Sequence, residues 1–369
     1  MTGSSTVRVA IVGAGAIADY HARAYTTLAP RFRLTAVFDT DLPKARAFAK
    51  THGVRRVCNT LQEIVQLEDL ELVDLCTPPF LHVRQAAEAL AGGRHVLCEK
   101  PISGSLRDLD RLGELERRVQ RRLFPIFQYR FDPHVRKTLA LKDAGLLGNH
   151  RLSTVENFWF RDDNYFHPSG RGSWRHDLGG TLASHAIHSH DILCAVVGMP
   201  KRVFARTASI REGIETEDLA AATFIFGDGS LATSAANLDS KLEQSRFCFV
   251  FERISVEGVV DMTRWEQPPW RFVPADPSDQ DTITETIAHV DPKREQFEAQ
   301  FAALHDCLVH GQSAPVTLED ARRSVELLTA MYYSADHATE VELPLGADHA
   351  YYDGWRAEPE NSGGETRDG

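Results

Sequence analysis

The chain has 369 residues, 43% of them hydrophobic and 25% charged, which is typical of a globular protein of about two domains. Lys plus Arg number 41 against 52 Asp plus Glu, and the formal net charge of -11 argues against a nucleic-acid partner, which needs clustered positive charge. No stretch approaches the roughly 18 uninterrupted apolar residues of a membrane span, and the N-terminus lacks the pattern of a secretory signal. The six cysteines are scattered, with no C-x-x-C pair, so we expect free thiols in a cytoplasmic protein.

From residue 7 to about residue 127, short apolar runs alternate with segments of helical period. This strand–helix repetition predicts a parallel sheet with helices on both faces, joined by right-handed crossovers. The predicted strands are Val7–Val12, Arg33–Phe38, Leu72–Cys76, His95–Cys98 and Leu123–Gln128, and the predicted helices are 16–29, 41–53, 82–90 and 105–121.

After residue 150 the pattern changes to strand-like segments separated by turn signals such as Gly227-Asp228-Gly229. These segments predict a large, mostly antiparallel open sheet with a helix near 180–197, in an α+β domain over 129–345 followed by a tail over 346–369. Two helices are predicted near the end of the domain, and we expect them to return toward the first domain. The tail contains several aromatic residues. The strand-like segments are 151–160, 202–211, 218–226, 230–239 and 246–260, and the late helices are 293–310 and 318–339.

The segment Gly13-Ala14-Gly15-Ala16-Ile17-Ala18 fits the G-x-G-x-x-A form of the dinucleotide fingerprint, between the first strand and the first helix. Gly13 permits a tight turn, Gly15 lets the backbone approach a pyrophosphate, and the helix N-terminus at Ala16 and Ile17 favours an anion. An ordinary glycine turn after a buried strand is the alternative. With the fingerprint, residues 1–128 are predicted to form a Rossmann dinucleotide-binding domain of the α/β class.

Asp39 ends the second predicted strand, 21 residues after Ala18, where a carboxylate accepts hydrogen bonds from the adenosine ribose. Its charge, with that of Asp41, would repel a 2′-phosphate, so NAD is favoured over NADP. A turn-forming aspartate is the alternative interpretation.

The ends of the third and fourth predicted strands carry Thr77-Pro78-Pro79, His82 and Glu99-Lys100-Pro101. In an open α/β sheet, ligands bind outside the carboxyl ends of the strands, so these residues are expected at the site. A lysine placed beside a nicotinamide cation and a desolvated substrate, as the resemblance described below implies for Lys100, should have a lowered pKa.

Together these motifs resemble the Gfo/Idh/MocA oxidoreductases, the family of glucose–fructose oxidoreductase and inositol dehydrogenase. Four further matches bring the resemblance to about residues 6–345. They are Gln128-Tyr129-Arg130-Phe131-Asp132-Pro133, Gly179-Gly180-Thr181-Leu182, His188-x-x-Asp191 and Val341-x-Leu343-Pro344.

The resemblance implies that Lys100 touches both nicotinamide and substrate, and that His188 is the catalytic histidine. It also implies a set of cofactor contacts and a set of substrate contacts. The cofactor set is Gly13, Gly15, Ala16, Ile17, Asp39, Thr77, Pro78, His82, Glu99, Lys100 and Gln128. The substrate set is Lys100, Arg130, Trp174, Arg175, Ser184, His185 and His188.

The family's helix carries Asp-x-x-x-His, with the two side chains on one helical face, and the matching positions here are Ser184 and His188. An unperturbed imidazole, with a pKa of about 6.5, suits a general base. Ser184 is a departure, because a hydroxyl can orient an imidazole but cannot stabilise an imidazolium as a carboxylate does. Ser184 and Asp191 are possible supporting residues, although Asp191 is better suited to packing or hydrogen bonding.

His185, His188 and His190 cannot all lie on one face of a regular helix, so no metal site is predicted. The aromatic residues Phe158-Trp159-Phe160 with Tyr165 and Phe166 suit either stacking on a sugar or ordinary strand packing, and both interpretations stay open.

These observations favour an NAD-dependent dehydrogenase that oxidises or reduces a secondary hydroxyl or ketone of a sugar, glycoside, aminosugar or cyclitol. A non-catalytic cofactor-binding sensor and an NAD-dependent glycosidase are the alternatives. The acidic chain suits an uncharged polyol, and an aminosugar better still. An open sheet face makes a homodimer or homotetramer plausible.

Overall fold

The computed structural model describes residues 5–166, 170–260, 270–290 and 296–355. The first domain contains six strands and five helices within that part of the chain. They are β1 Val7–Val12, α1 Ala16–Thr27, β2 Phe32–Phe38, α2 Leu42–His52, β3 Arg56–Cys58, α3 Leu61–Val65, β4 Leu72–Leu75, α4 His82–Ala91, β5 His95–Cys98, α5 Leu106–Val119 and β6 Leu123–Pro125.

The six strands form one parallel sheet in the order β3-β2-β1-β4-β5-β6, which confirms the predicted Rossmann fold. Strand order reverses between β1 and β4, and this switch point is where α/β sheets bind their ligands. The turns after β1, β4 and β5 therefore lie along one edge of the sheet. The short strand β3, in which Val57 pairs with Val37, was not predicted, because three residues carry too little periodicity.

The second domain is built on an eight-stranded sheet in the order β13-β12-β11-β7-β10-β9-β8-β14. Among the described strands of this sheet, only β7 and β10 pair in parallel, which confirms the predicted, mostly antiparallel sheet. Its elements are α6 Pro133–Asp143, β7 His150–Phe160, α7 Asp163–Phe166, α8 Trp174–Asp177, α9 Ile187–Val196, β8 Arg202–Ala208, β9 Leu219–Ile225, β10 Leu231–Asn237, β11 Asp239–Phe251, β12 Ile254–Val260, β13 Arg271–Pro274, α10 Gln280–Ala288, α11 Gln296–His310, α12 Leu318–His337 and β14 Val341–Glu342.

Two differences from the predicted elements have clear local causes. The segment 246–260 is not one strand, because a turn at Glu252-Arg253 separates β11 from β12 within an otherwise apolar run. Helix α6 was not predicted although its start signals are present: Asp132 Oδ1 accepts from the His134 N–H at 2.8 Å, and Pro133 occupies the first turn.

The two late helices pack against the first domain. Phe301 of α11 stacks on Tyr25 of α1, with ring centroids 4.8 Å apart, and α12 packs on both α5 and β8. The start of the predicted helix 293–310 and the last residues of the tail, expected to be disordered, lie outside the described residues. No described helix has the length and apolar character needed to cross a membrane.

Candidate functional site

The glycine-rich turn joins β1 to the N-terminus of α1. Gly13 has φ +92°, and a Cβ there would lie 2.8 Å from the Cys76 carbonyl oxygen after β4, so only glycine fits. No side chain caps the helix at Gly15, so the first N–H groups of α1 are available to an anion. The turn fits a dinucleotide diphosphate.

Asp39 is fixed beside this turn. Its Oδ2 accepts from the Ala14 N–H at 2.7 Å, and its Oδ1 accepts from the Asp41 N–H at 2.9 Å. The Lys44 ammonium lies 3.5 Å from the same carboxylate and is half exposed. Lys44, one turn into α2, is a cation beside the expected ribose position that the sequence reasoning missed.

The loop after β4 is held in place by His82. The two ring nitrogens each lie 2.8 Å from a backbone oxygen, Nδ1 from that of Pro101 and Nε2 from that of Thr77. The imidazole therefore ties the Thr77 loop to the Lys100 loop. Its contacts point to a positioning role, rather than to the direct cofactor contact that the resemblance implies.

Three buried ionisable side chains, Asp74, His21 and Glu99, form a hydrogen-bonded series that ends at the backbone of Lys100. His21 is fully buried, with Nδ1 2.9 Å from Asp74 Oδ2 and Nε2 3.2 Å from Glu99 Oε1. Burial by itself lowers the pKa of His21, but the neighbouring carboxylate of Asp74 more than offsets this, and the pKa lies well above its ordinary value. Glu99 Oε2 accepts from the Lys100 N–H at 3.2 Å. Glu99, predicted as a cofactor contact, thus supports the Lys100 backbone.

Lys100 lies at the carboxyl end of β5 and extends toward the second domain. Its Nζ donates to the Ser184 carbonyl oxygen at 2.5 Å. Burial lowers the pKa of Lys100 to about 8, as expected for a lysine in this setting. The Lys100–Pro101 peptide bond is cis.

His188 is the second residue of α9, four residues after the serine whose carbonyl oxygen accepts from Lys100. It is 5% exposed, its ring stacks on Tyr129 with centroids 4.6 Å apart, and Phe127 meets it edge-on. Nδ1 is buried and has no hydrogen-bond partner among the described residues. Burial, together with the charge of Lys100, holds the pKa of His188 well below its ordinary value, so the imidazole is neutral.

The segment before His188 is not a regular α-helix, because Leu182–Ala186 forms a π-helical turn. The Ser184 hydroxyl donates to the Gly180 carbonyl oxygen at 2.6 Å and lies 2.7 Å from His185 Nδ1. Ser184 contributes through its carbonyl oxygen to Lys100, and its side chain orients His185.

The turn at Gly180 is fixed by a buried glutamate that the sequence reasoning missed. Glu217 accepts from the N–H groups of Gly180 and Leu182, at 3.0 and 2.9 Å, and from the Tyr332 hydroxyl at 2.9 Å. Burial raises the pKa of Glu217 to about 7. A Cβ on Gly180 would lie 1.8 Å from the Glu217 carbonyl oxygen, so this close approach requires glycine.

Arg130 and Asp191 form a buried ion pair. Arg130 Nε and an Nη donate to the two Asp191 oxygens at 2.6 and 2.7 Å, and the guanidinium also donates to Asp320 at 3.1 Å. Burial raises the pKa of Asp191 to about 6 despite this pairing. Asp191 thus has the hydrogen-bonding role expected of it. The two carboxylates engage Nε and one Nη of the guanidinium, and the prediction that Arg130 contacts substrate stays a prediction.

Helix α8 brings the second domain against the loop after β4. His176 contacts Phe80, with ring centroids 5.6 Å apart, and Trp174 Nε1 donates to the Glu215 carbonyl oxygen at 3.0 Å. Arg175 is exposed on this helix. The predicted substrate residues Trp174 and Arg175 therefore lie at the junction of the two domains.

Trp355, near the end of the described chain, contacts both halves of the site. Its Nε1 donates to the Leu178 carbonyl oxygen, before the Gly180 turn. A Cβ on Gly104, in the loop that follows Lys100, would lie 3.0 Å from its ring. The ring is 3% exposed and lies 5.1 Å from that of Tyr332.

Gln128 follows β6 and is 6% exposed, yet its Oε1 has no hydrogen-bond partner among the described residues. A buried orphan acceptor at the carboxyl edge of the sheet suits the carboxamide N–H of a nicotinamide. With the glycine-rich turn, Asp39 and Lys100, the residues fit a bound nicotinamide dinucleotide.

The three histidines of the α9 segment contact different neighbours. His185 lies 5.9 Å from the Tyr165 ring, His188 stacks on Tyr129, and His190 Nε2 lies 2.8 Å from Ser234 Oγ. This arrangement suits separate roles rather than a shared ligand.

Comparisons with known proteins agree with this geometry. The family model for oxidoreductases with an NAD-binding Rossmann fold (GFO/IDH/MocA) matches residues 7–127, and that for the GFO/IDH/MocA C-terminal domain matches residues 135–258. An uncharacterised oxidoreductase of Synechocystis sp. is 30% identical over 213 residues, covering 57% of this chain and 56% of that protein. Glucose-6-phosphate 3-dehydrogenase of Bacillus subtilis is 32% identical over 191 residues, covering 50% and 52%. The matches thus span about half the length of these relatives.

Among solved structures, the WlbA dehydrogenase from Bordetella pertussis, in complex with NADH and UDP-GlcNAcA, superposes with a TM-score of 0.81. It is 26% identical, and the superposition covers 92% of this chain and 100% of that one.

Proposed function

The chain belongs to the Gfo/Idh/MocA oxidoreductase family, and from this premise we propose that it is a dehydrogenase transferring hydride between a nicotinamide dinucleotide and a secondary hydroxyl or ketone of a sugar, glycoside, aminosugar or cyclitol. The observation that carries the proposal is that Lys100, from the first domain, reaches the segment of the second domain that leads into His188. Lys100 Nζ donates to the carbonyl oxygen of Ser184, which precedes His188 by four residues. Lys100 itself lies at the carboxyl edge of the first sheet, where the residues fit the dinucleotide.

When bound, the nicotinamide supplies the hydride acceptor or donor. In the oxidation direction the uncharged Lys100 amine lies beside the reacting hydroxyl, and the ammonium that it becomes on taking up a proton stabilises negative charge on the substrate oxygen. The neutral His188 imidazole, held by Tyr129, accepts the hydroxyl proton as the carbon is oxidised. No carboxylate takes the position of Ser184 to stabilise a protonated His188. Lys100, with a pKa of about 8, is therefore proposed to share the proton.

We propose that NAD is preferred over NADP because the Asp39 carboxylate is fixed where the adenosine ribose is expected. Lys44, 3.5 Å away, offsets part of its charge, so the discrimination should be moderate. The test is Asp39→Ala, which should weaken NAD and bring its affinity closer to that of NADP. A wild-type enzyme that prefers NADP would show the ribose assignment to be wrong.

The relatives support a sugar substrate. Glucose-6-phosphate 3-dehydrogenase is named for a sugar phosphate, and the WlbA structure contains a sugar nucleotide. A sensor without turnover needs neither Lys100 nor His188, and nothing at the site favours a glycosidase, so these alternatives are not favoured.

We also propose a cytoplasmic homo-oligomer. The six free thiols suit a reducing compartment, and the open face of the second sheet exposes the paired residues Leu152 and Leu231, at 44% and 46%. Light scattering at several concentrations tests the oligomer. A monomer at all of them would remove this part of the proposal.

The central experiment measures NADH absorbance with sugars, glycosides and inositols and with NAD or NADP. Lys100→Ala should abolish turnover while NAD affinity stays within a few-fold of wild type. Lys142→Ala is the matched control, because Lys142 Nζ also donates to a helix carbonyl oxygen, that of Ala195, at 2.5 Å, and lies on α6. Unchanged kcat in Lys100→Ala would remove Lys100 from the mechanism. Dinucleotide binding without oxidation of any substrate would support the sensor instead.

A further inference from the structure

His185 and Lys100 both form hydrogen bonds with Ser184. Lys100 Nζ donates to the Ser184 carbonyl oxygen, and His185 Nδ1 lies 2.7 Å from the Ser184 hydroxyl oxygen. The His185 ring is partly exposed, whereas those of His188 and His190, further along the same segment, are buried. His185 is thus the histidine of this segment that is open to a ligand next to Lys100.

The hydrogen bonds of Ser184 determine which ring nitrogen of His185 carries the proton. Ser184 donates its single hydroxyl proton to the Gly180 carbonyl oxygen at 2.6 Å. Its hydroxyl oxygen therefore accepts from His185, so Nδ1 of the imidazole carries a proton. Burial, and after it the positive charges of Arg161 and Lys100, lower the pKa of His185 well below its ordinary value. The ring is thus neutral, and Nε2 has a lone pair.

Nε2 of His185 has no hydrogen-bond partner within the part of the chain that the structure describes. His82 and His150 are different, because both nitrogens of each ring are bonded. Those of His82 bind two backbone oxygens, and those of His150 lie 2.8 and 2.7 Å from the hydroxyls of Ser230 and Ser153. A ring nitrogen with a lone pair accepts from an O–H or N–H group, so His185 offers one acceptor to a ligand.

The surroundings of His185 suit a sugar. Its ring lies 5.9 Å from that of Tyr165 and 6.2 Å from that of Trp159. Ligand pockets combine aromatic side chains with a few polar groups that fix the orientation of the ligand. The two aromatic rings and the acceptor of His185 form such a combination, one residue along the chain from the carbonyl oxygen that Lys100 contacts.

We propose that His185 Nε2 accepts a hydrogen bond from a second hydroxyl of the sugar, while Lys100 contacts the hydroxyl that is oxidised. His185 is then a specificity-determining residue, and the substrate class is narrowed to polyols with a free hydroxyl at that second position. This inference rests on the proposed function. It also gives a role to Ser184, where the family has an aspartate, because the serine hydroxyl fixes the tautomer and the direction of the imidazole.

The test uses the NADH assay with parent polyols and with analogues that lack one hydroxyl. The panel is D-glucose, N-acetylglucosamine and myo-inositol, each with its monodeoxy analogues. The analogue without the reacting hydroxyl is not oxidised. Among the other analogues of an oxidised parent, we expect one to lose about tenfold or more in kcat/KM, because His185 is then left without its donor.

Three variants show whether this preference depends on His185. His185→Phe keeps an aromatic ring and removes the acceptor, so the parent and that analogue should differ by less than about threefold. His185→Gln keeps an acceptor oxygen and should retain part of the preference. His150→Phe is the matched control, since His150 also bonds serine hydroxyls in the second domain, and it should leave the wild-type ratio unchanged. Thermal denaturation verifies that each variant folds.

A second measurement does not depend on turnover. Nitrogen-15 NMR of the histidine-labelled protein shows which ring nitrogen carries the proton, and comparison with His185→Gln assigns the His185 signals. We expect a neutral ring protonated at Nδ1 from about pH 6 to about pH 8. A ring protonated at Nε2, or an imidazolium over that range, would overturn the inference whatever the activity.

A preference that persists unchanged in His185→Phe would also overturn the inference and leave the proposed dehydrogenase standing. The same holds for a wild-type enzyme that oxidises a parent polyol and loses less than about threefold with every analogue that keeps the reacting hydroxyl. Failure to oxidise any polyol of the panel would count against both proposals.

Discussion

Replacing Trp355 tests whether the C-terminal segment positions the two halves of the site. Its indole is 3% exposed, packs on Gly104 behind Lys100, and donates to the Leu178 carbonyl oxygen ahead of His188. Removing a buried tryptophan side chain costs about 3–5 kcal/mol in a protein core. We therefore expect Trp355→Ala to lower the free energy of unfolding by about 3 kcal/mol.

Trp355→Ala should also lower the rate of catalysis. A displacement of about 1 Å between reacting groups can lower the rate about 10²-fold, so we expect kcat to fall at least tenfold. NAD affinity should stay within a few-fold, since Trp355 is not in the Gly13 turn and does not contact Asp39. Steady-state kinetics, dinucleotide titration and thermal denaturation measure the three quantities.

A matched pair of conservative variants separates positioning from packing. Trp355→Phe keeps a ring and loses the N–H donor, so kcat should lie between that of wild type and that of Trp355→Ala. Trp270 has the same environment elsewhere: it is 5% exposed, packs on Gly258, and donates to the Val259 carbonyl oxygen at 3.1 Å at the edge of the second sheet. Trp270→Phe should lower stability without lowering kcat. Equal losses of kcat in the two phenylalanine variants, or an unchanged kcat in Trp355→Ala, would refute the reasoning.

Three further changes are predicted from the same geometry. Gly180→Ala should abolish turnover and lower the melting temperature, because its Cβ would overlap the Glu217 carbonyl oxygen; wild-type kinetics would contradict the fixed turn. The kcat/KM for oxidation should rise with pH to a plateau above about pH 8, as Lys100 loses its proton, and a profile that is flat across pH 8 would exclude Lys100 as a proton acceptor. Arg130→Met should cost about 3–5 kcal/mol in a denaturant titration, because it leaves Asp191 as an unpaired buried carboxylate. The double variant Arg130→Met/Asp191→Leu should recover much of that loss, and a double variant no more stable than the single one would contradict this account.

The parallel sheet was predictable because its central strands are buried on both faces and appear as apolar runs; in β1, Val9, Ala10, Ile11 and Val12 are all fully buried. The glycine-rich turn and Asp39 were predictable because a dinucleotide imposes a fixed order of small and acidic residues along one βαβ unit. Elements without such a repeating pattern, such as β3 and the turn between β11 and β12, were not.

The rest of the site depends on residues that are distant in the sequence. His21 and Asp74 are 53 residues apart, and Gly180 and Glu217 are 37 apart, so only the fold shows that they hydrogen bond. The π-helical turn over Leu182–Ala186 could not be predicted from the spacing of Ser184 and His188. Motif resemblance placed Arg130 at the site, but could not show that Asp191 and Asp320 already hold its guanidinium.

The site combines Lys100, which has a carboxylate beside its backbone, with His188, which is buried among aromatic rings and uncharged. Glu99, fixed by His21, supplies negative charge under the Lys100 backbone, so burial lowers the pKa of that lysine only to about 8. His188 has no such carboxylate, and burial among Tyr129 and Phe127 leaves it uncharged beside a cation. A proton taken from the substrate is therefore held better by Lys100 than by His188, which makes the lysine the stronger candidate for the group that sets the pH dependence.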